Sequence, residues 1–345
     1  MATQFDAISA KLKAMNSVSL TDKDYEQLLQ KKSVGEICGY LKNYTGYKNM
    51  LSGVNEMQIH RTDLELIIEK KIKDEYTRLY KFIGLYDRKT LRFMFIRDEI
   101  DFMKHRLRYI LNNELCENMN VEEWVTPFFK THTTLDVDGI VKANDFNTFI
   151  EACKGTIYYD VFKRVSNLNF GLFDIAMMLD SFYYCELWKS VKKFVSKSGL
   201  APMKEYLGTN IDLLNILWIY RSKKYYNTPN EIIYTYLIPV KYKLQESVVT
   251  KMVEAENIDA VVNALGSSGY RALFENLRED SFVEENYKKI LYKTARKVYR
   301  SSPASMAAIY AYFYMRDIEV GNITTIIEGI RYNFDSDAIG KLLVR

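Results

Sequence analysis

The stretch AAIYAYFYMRDIEVGNITTIIEGIRY (307–332) decides how this chain is read. From Ser301 to Met315 there are fifteen residues without a charge, and then Arg316, Asp317 and Glu319 arrive almost at once. As a helix, the uncharged part would rise about 22 Å, short of the roughly 30 Å hydrocarbon core of a bilayer. Ser302-Pro303 supplies an N-cap and a proline at the first helical position, the start expected of a helix in a water-soluble domain. The segment is therefore expected to be a core helix, with its Asp317-Ile-Glu319 turn emerging from the core.

Working outward, the same pattern recurs twice. RFMFIRDEIDFMKHRLRYIL (92–111) and MKEYLGTNIDLLNILWIYRSKKYY (203–226) also carry an apolar half, an acid and a second apolar half. The acids are Glu99, Asp212 and Glu319, spaced by 113 and 107 residues. Three positions later stand Phe102, Asn215 and Asn322. Arg108 and Arg221 follow six residues further on, where the third copy has Glu328 and then Arg331.

A second motif keeps the same order. LLQKKSVGEICGYLKNYTGYKNML (28–51), IVKANDFNTFIEACKGTIYYDVFKRV (140–165) and MVEAENIDAVVNALGSSGYRALFENL (252–277) each hold a short amphipathic helix. Each then breaks at a small or glycine-containing turn and re-enters with an aromatic, at Tyr47, Tyr158 and Tyr270, spaced by 111 and 112 residues. Two ordered motifs at a common domain-sized period argue for internal repetition. They predict three homologous helical domains near 1–113, 114–226 and 227–345, with turn-rich boundaries at YILNNELCENMN and SKKYYNTPNE.

Composition agrees with an all-α fold. Only 15 Gly and 5 Pro are spread over 345 residues, too few for the turns of an all-β chain. The 27 Tyr and 18 Phe imply bulky helix–helix interfaces. The N-terminal MATQFDAISAKLKAMNSV has no apolar run of signal-peptide length and reads as an amphipathic helix. Cys38, Cys116, Cys153 and Cys185 lie far apart, as reduced core thiols of a cytoplasmic protein would.

No catalytic motif is present: no P-loop, no GxGxxG, no HExxH, no GxSxG, no acid-rich metal motif. His60, His105 and His132 are scattered without metal-ligand spacing. No cofactor or metal site is expected, and Glu99, Asp212 and Glu319 are read as structural acids sharing a helix face with their i+3 neighbours. The stretch NYKKILYKTARKVYR (286–300) carries Lys288, Lys289, Lys293, Arg296, Lys297 and Arg300 on one half of a helix. That face is either ordinary solvated surface or a docking surface for an acidic partner or anionic headgroups. A net charge of +4 makes a nucleic-acid partner unattractive.

Three helical repeats, the signature Asp212, Asn215 and Arg221, and the C-terminal AYFYMRDIEVGNITTIIEGIRY together resemble the C subunit of V/A-type rotary ATPases, the counterpart of the d subunit of eukaryotic V-ATPases. Phe102 in the first copy and Glu328 in the third depart from the pattern. The resemblance implies a funnel of three helical domains with pseudo-threefold symmetry, seated on the cytoplasmic mouth of the membrane proteolipid ring. It also implies that the central shaft is received in the cavity and that the protein transmits torque for proton or sodium transport without chemistry of its own. The competing readings are a free-standing helical scaffold that binds soluble partners and an all-helical enzyme with an unrecognised site.

Overall fold

The computed structural model describes residues 4–112, 124–165, 171–266, 268–275 and 282–345. Cys116 and much of the first boundary stretch lie outside them. Every regular element among the described residues is helical, so the chain is all-α. The helices begin where short polar side chains can satisfy the first unpaired N–H groups. Thr21 and Asp24 close a capping box ahead of Asp22–Leu29, Asp145 and Thr148 do so ahead of Phe146–Ala152, and Ser33, Asp136 and Asp335 cap three others.

Three long helices carry the acid motifs: Leu85–Leu111, Lys197–Lys224 and Met306–Arg331, called here the first, second and third signature helices. The second and third end alike, each followed by an asparagine in the left-handed region, Asn227 at φ 45° and Asn333 at φ 56°. Asparagine tolerates that conformation better than most side chains and so stops a helix.

The start of the third signature helix differs from expectation. The preceding helix, Phe282–Ser301, runs up to Ser302-Pro303, and Ser302 N–H still bonds back to Val298. Pro303 disfavours helical backbone at Ser302 and breaks the chain there. The cap is Ser305, whose Oγ accepts from Ala308 N–H at 3.2 Å. Nor does a turn occur at Asp317–Glu319. The helix continues, with Asp317 exposed and Glu319 buried.

The chain divides into two compact units. One comprises 1–84, 196–213 and 262–345, and its core joins the two ends of the sequence: Tyr25, Leu28, Ile37, Leu41 and Tyr47 pack with Ile323, Ile326, Ile327 and Ile339. Gly329 is required there, because a Cβ at that position would lie 2.5 Å from Ile339 Cγ1. The other comprises 85–195 and 214–261. In it the first signature helix packs along Leu172–Phe194, with Tyr86 edge-on to Phe194 and Thr90 Oγ1 3.4 Å from Ser190 Oγ.

Candidate functional site

The three signature acids are all buried, Glu99 at 0%, Asp212 at 1% and Glu319 at 5% exposure. Each accepts a hydrogen bond from one of the three re-entrant tyrosines. Tyr158 Oη donates to Glu99 at 2.5 Å, Tyr270 Oη to Asp212 at 2.8 Å and Tyr47 Oη to Glu319 at 2.8 Å. The two motifs found separately in the sequence therefore meet, in one consistent order. Each acid takes the tyrosine of the following motif, and the last acid takes the first tyrosine, 272 residues upstream.

The turns that present the tyrosines are also alike. Thr45 and Thr156 each turn their Oγ1 back onto a helix carbonyl, Leu41 and Cys153, while accepting from the N–H of Tyr47 and Tyr158. Such hydroxyl turns fix the chain direction just before the aromatic. The third copy has Ser268 in that place. Gly155 and Gly266 supply left-handed backbone at φ 80° and 54° shortly before the second and third tyrosines.

The long helix after each tyrosine follows the same order. Leu172–Phe194 packs on the first signature helix. In Phe282–Ser301, Tyr287 Oη donates to Asn210 and Lys297 to Glu205, both on the second. In Arg61–Phe82, Glu75 accepts from Tyr312 of the third.

The i+3 asparagines form a second repeated contact. Asn215 donates to Ile238 O at 3.0 Å and accepts from Ile238 N–H at 2.9 Å. Asn322 does the same with Val344, at 2.8 and 3.0 Å. A side-chain amide thus satisfies both backbone groups of a residue just past a short helix. In the first copy Phe102 substitutes an apolar contact, its ring 5.8 Å from that of Phe129.

The third acid sits in a charged network. Arg316, 1% exposed, binds Glu319 one turn along its own helix and lies 3.4 Å from Glu75. Burial opposes the charge of Arg316, but Glu319, Tyr47 and Glu75 outweigh it and hold its pKa above the ordinary value. Glu319 also accepts from Leu20 N–H, and Arg316 donates to Ser19, which ties the N-terminal segment to the third helix. Lys71 stacks its ammonium 3.8 Å over the Tyr47 ring, and burial, aided by Arg316, pushes its pKa down to about 8. Around Glu99 there is no such buried ion-pair partner among the described residues. Burial raises its pKa, against the lowering effect of bonds from Thr133 and Tyr158.

The trailing arginines Arg108 and Arg221 are exposed in the last turns of their helices, while the acids are buried. Residues that the sequence did not single out do the buried work: Arg316, Glu75, Lys71, and Arg106, which donates to the carbonyls of Ile140 and Ala143. On Phe282–Ser301 the residues Leu291, Ala295 and Val298 are buried, while Lys288, Lys293, Arg296, Lys297 and Arg300 point away from that core arc and Lys289 is half-buried.

Each acid accepts a hydrogen bond from a buried tyrosine, and among the described residues no group of His, Cys, Asp and Glu could hold a metal ion. No described helix is long and apolar enough to cross a membrane.

Comparison with known proteins points one way. Residues 8–342 match the family described as ATP synthase (C/AC39) subunit. The chain is 21% identical over 334 residues to the A-type ATP synthase C subunit of Methanosphaera stadtmanae, covering 94% of this chain and 83% of that one. It is 21% identical over 348 residues to the protein of the same name from Thermococcus kodakarensis, covering 99% and 90%. With that of Archaeoglobus fulgidus the identity is 26% over 218 residues, 63% of this chain and 59% of the relative.

Proposed function

Because the chain belongs to the ATP synthase (C/AC39) subunit family, we propose that it is the non-catalytic component that joins the rotating central shaft of a V/A-type ATPase to the membrane proteolipid ring. The family match across nearly the whole chain carries this reading. In it the protein stands at the cytoplasmic face, peripheral to the membrane, and passes torque from shaft to ring so that ATP turnover and ion movement stay coupled.

The physical requirement for such a part is stiffness. A torque transmitter that yields internally dissipates work, so its modules must be locked to one another along the chain. The acid–tyrosine bonds, repeated in cyclic order, support this, as do the paired asparagine clamps. Buried and charge-assisted bonds of this kind resist opening better than exposed ones. We take the three homologous modules to be grouped about a common axis, each signature helix being completed by the following motif and long helix. The N-terminal segment would then complete the third.

The test is co-purification. Tagged chain isolated from native membranes is expected to bring down shaft subunits and proteolipid together. Recovery of neither would favour a soluble scaffold instead.

A further inference from the structure

The first compact unit contains a cavity of about 330 Å³ that the torque-coupling role does not use. Arg296 and Arg300 reach it from Phe282–Ser301, and Arg345 from the C-terminal segment. Two other arginines of this unit are bound by carboxylates, Arg61 by Glu65 and Glu328 and Arg316 by Glu75 and Glu319. Among the described residues, Arg296, Arg300 and Arg345 have no carboxylate within ion-pair distance. Two of them rest on aromatic faces, Arg296 on Tyr292 at 5.7 Å and Arg345 on Tyr25 at 6.0 Å, and both of those tyrosines line the cavity.

A third tyrosine, Tyr299, also lines the cavity, and its buried hydroxyl has no hydrogen-bond partner among the described residues. Two carboxylates are present as well. Glu319 is already committed to Arg316, Tyr47 and Leu20 N–H, leaving Asp22 against three guanidinium groups. Like charges gathered around one concavity repel unless a counter-charge enters.

We propose that this cavity is an anion site that takes phosphate groups. Guanidinium forks match the tetrahedral oxygens of phosphate with two parallel bonds. The volume lies at the small end of ligand pockets, enough for one or two phosphate groups and too small for a partner helix. The phosphate has two conceivable sources, a free phosphate compound or a lipid headgroup, and both present the same oxygens.

Isothermal titration of the purified full-length chain with inorganic pyrophosphate is expected to show one saturable site. Arg296→Ala and Arg300→Ala should each weaken it by about tenfold or more, since each removes a charge-assisted bond. Lys288→Ala and Lys293→Ala, on the same helix but outside the cavity lining, should leave it unchanged. Neither Arg296 nor Arg300 is buried, so their variants should unfold at the wild-type denaturant midpoint. Flotation with phosphatidylcholine vesicles containing phosphatidic acid separates the sources. Binding that the arginine variants lose and pyrophosphate competes away assigns the headgroup, and pyrophosphate binding without flotation assigns a free phosphate compound. Absence of pyrophosphate binding, equal binding by the arginine variants, or equal affinity for succinate would overturn the proposal.

Discussion

Replacing Tyr158 by Phe removes one oxygen from the interior and tests the repeated contact directly. Glu99 is 0% exposed, so water does not replace the lost donor, while Thr133 Oγ1 still donates at 2.6 Å. A hydrogen bond to a buried carboxylate contributes about 1.5–3 kcal/mol, and that is the expected loss of unfolding free energy at pH 7. The loss should also depend on pH. Burial already raises the pKa of Glu99 above 4.5, and the bond from Tyr158 works against that rise. A carboxyl that holds its proton more tightly when folded adds stability below its unfolded pKa, and that stability fades as pH rises through the folded value. Deleting Tyr158 Oη raises the folded pKa further, so the variant should lose stability more steeply above pH 4.5. Near pH 4, where Glu99 is mostly protonated in both states, the penalty should shrink to about 0.5–1.5 kcal/mol, the size of a neutral bond. Urea unfolding of both proteins, followed by tryptophan fluorescence from about pH 4 to 8, measures this. Equal stability of variant and wild type at every pH would refute the idea that the acid–tyrosine bond holds the module together.

Further outcomes follow from other contacts. Asn322→Ala strands both backbone groups of buried Val344 and should cost roughly 2–4 kcal/mol in the same unfolding assay, with Asn215→Ala costing a similar amount. Gly329→Ala should destabilise by about 1–3 kcal/mol despite the better helix propensity of alanine, because Ile339 is 1% exposed and has no room to yield. Lys71 has a folded pKa of about 8, below the 10.5 of the free side chain, so stability should rise as pH climbs above 8. Lys71→Met should abolish that rise, which is worth at most roughly 3 kcal/mol before subtracting the contact with Tyr47. Reversing Lys289, Lys293 and Lys297 to Glu should weaken association with the rest of the complex in a salt-sensitive way, and unchanged assembly at low salt would mark that face as plain solvated surface.

How far these contacts can be read from sequence differs from one to the next. Helical periodicity is a local property, so the long amphipathic helices and the buried arc of Phe282–Ser301 follow from spacing alone. The equal spacing of acids and tyrosines is visible too, but not that they touch. Tyr47 and Glu319 are brought together only by the packing of the two chain ends in one core, and nothing near either residue encodes the other. In the sequence Arg316 stands in one run of charges with Asp317 and Glu319, and nothing in that run tells the buried members from the exposed one. One position along a helix rotates the side chain by about 100°, which separates a buried cation from a solvated acid. Ser302 and Ser305 are both competent caps, and only the end of the preceding helix at Ser301 decides between them. The arginines at 108 and 221 stand in the last turns of their helices, where a helix end favours cations.

The proposed coupling role rests on membership of the ATP synthase (C/AC39) family and on the repeated buried contacts between acids and tyrosines. Its most direct test is ion uptake driven by ATP in vesicles carrying the complex, stripped of this chain and then resupplied with it. Hydrolysis without uptake in the stripped complex, and recovery of uptake on adding the chain back, is the expected result. Full uptake in its absence would contradict the role.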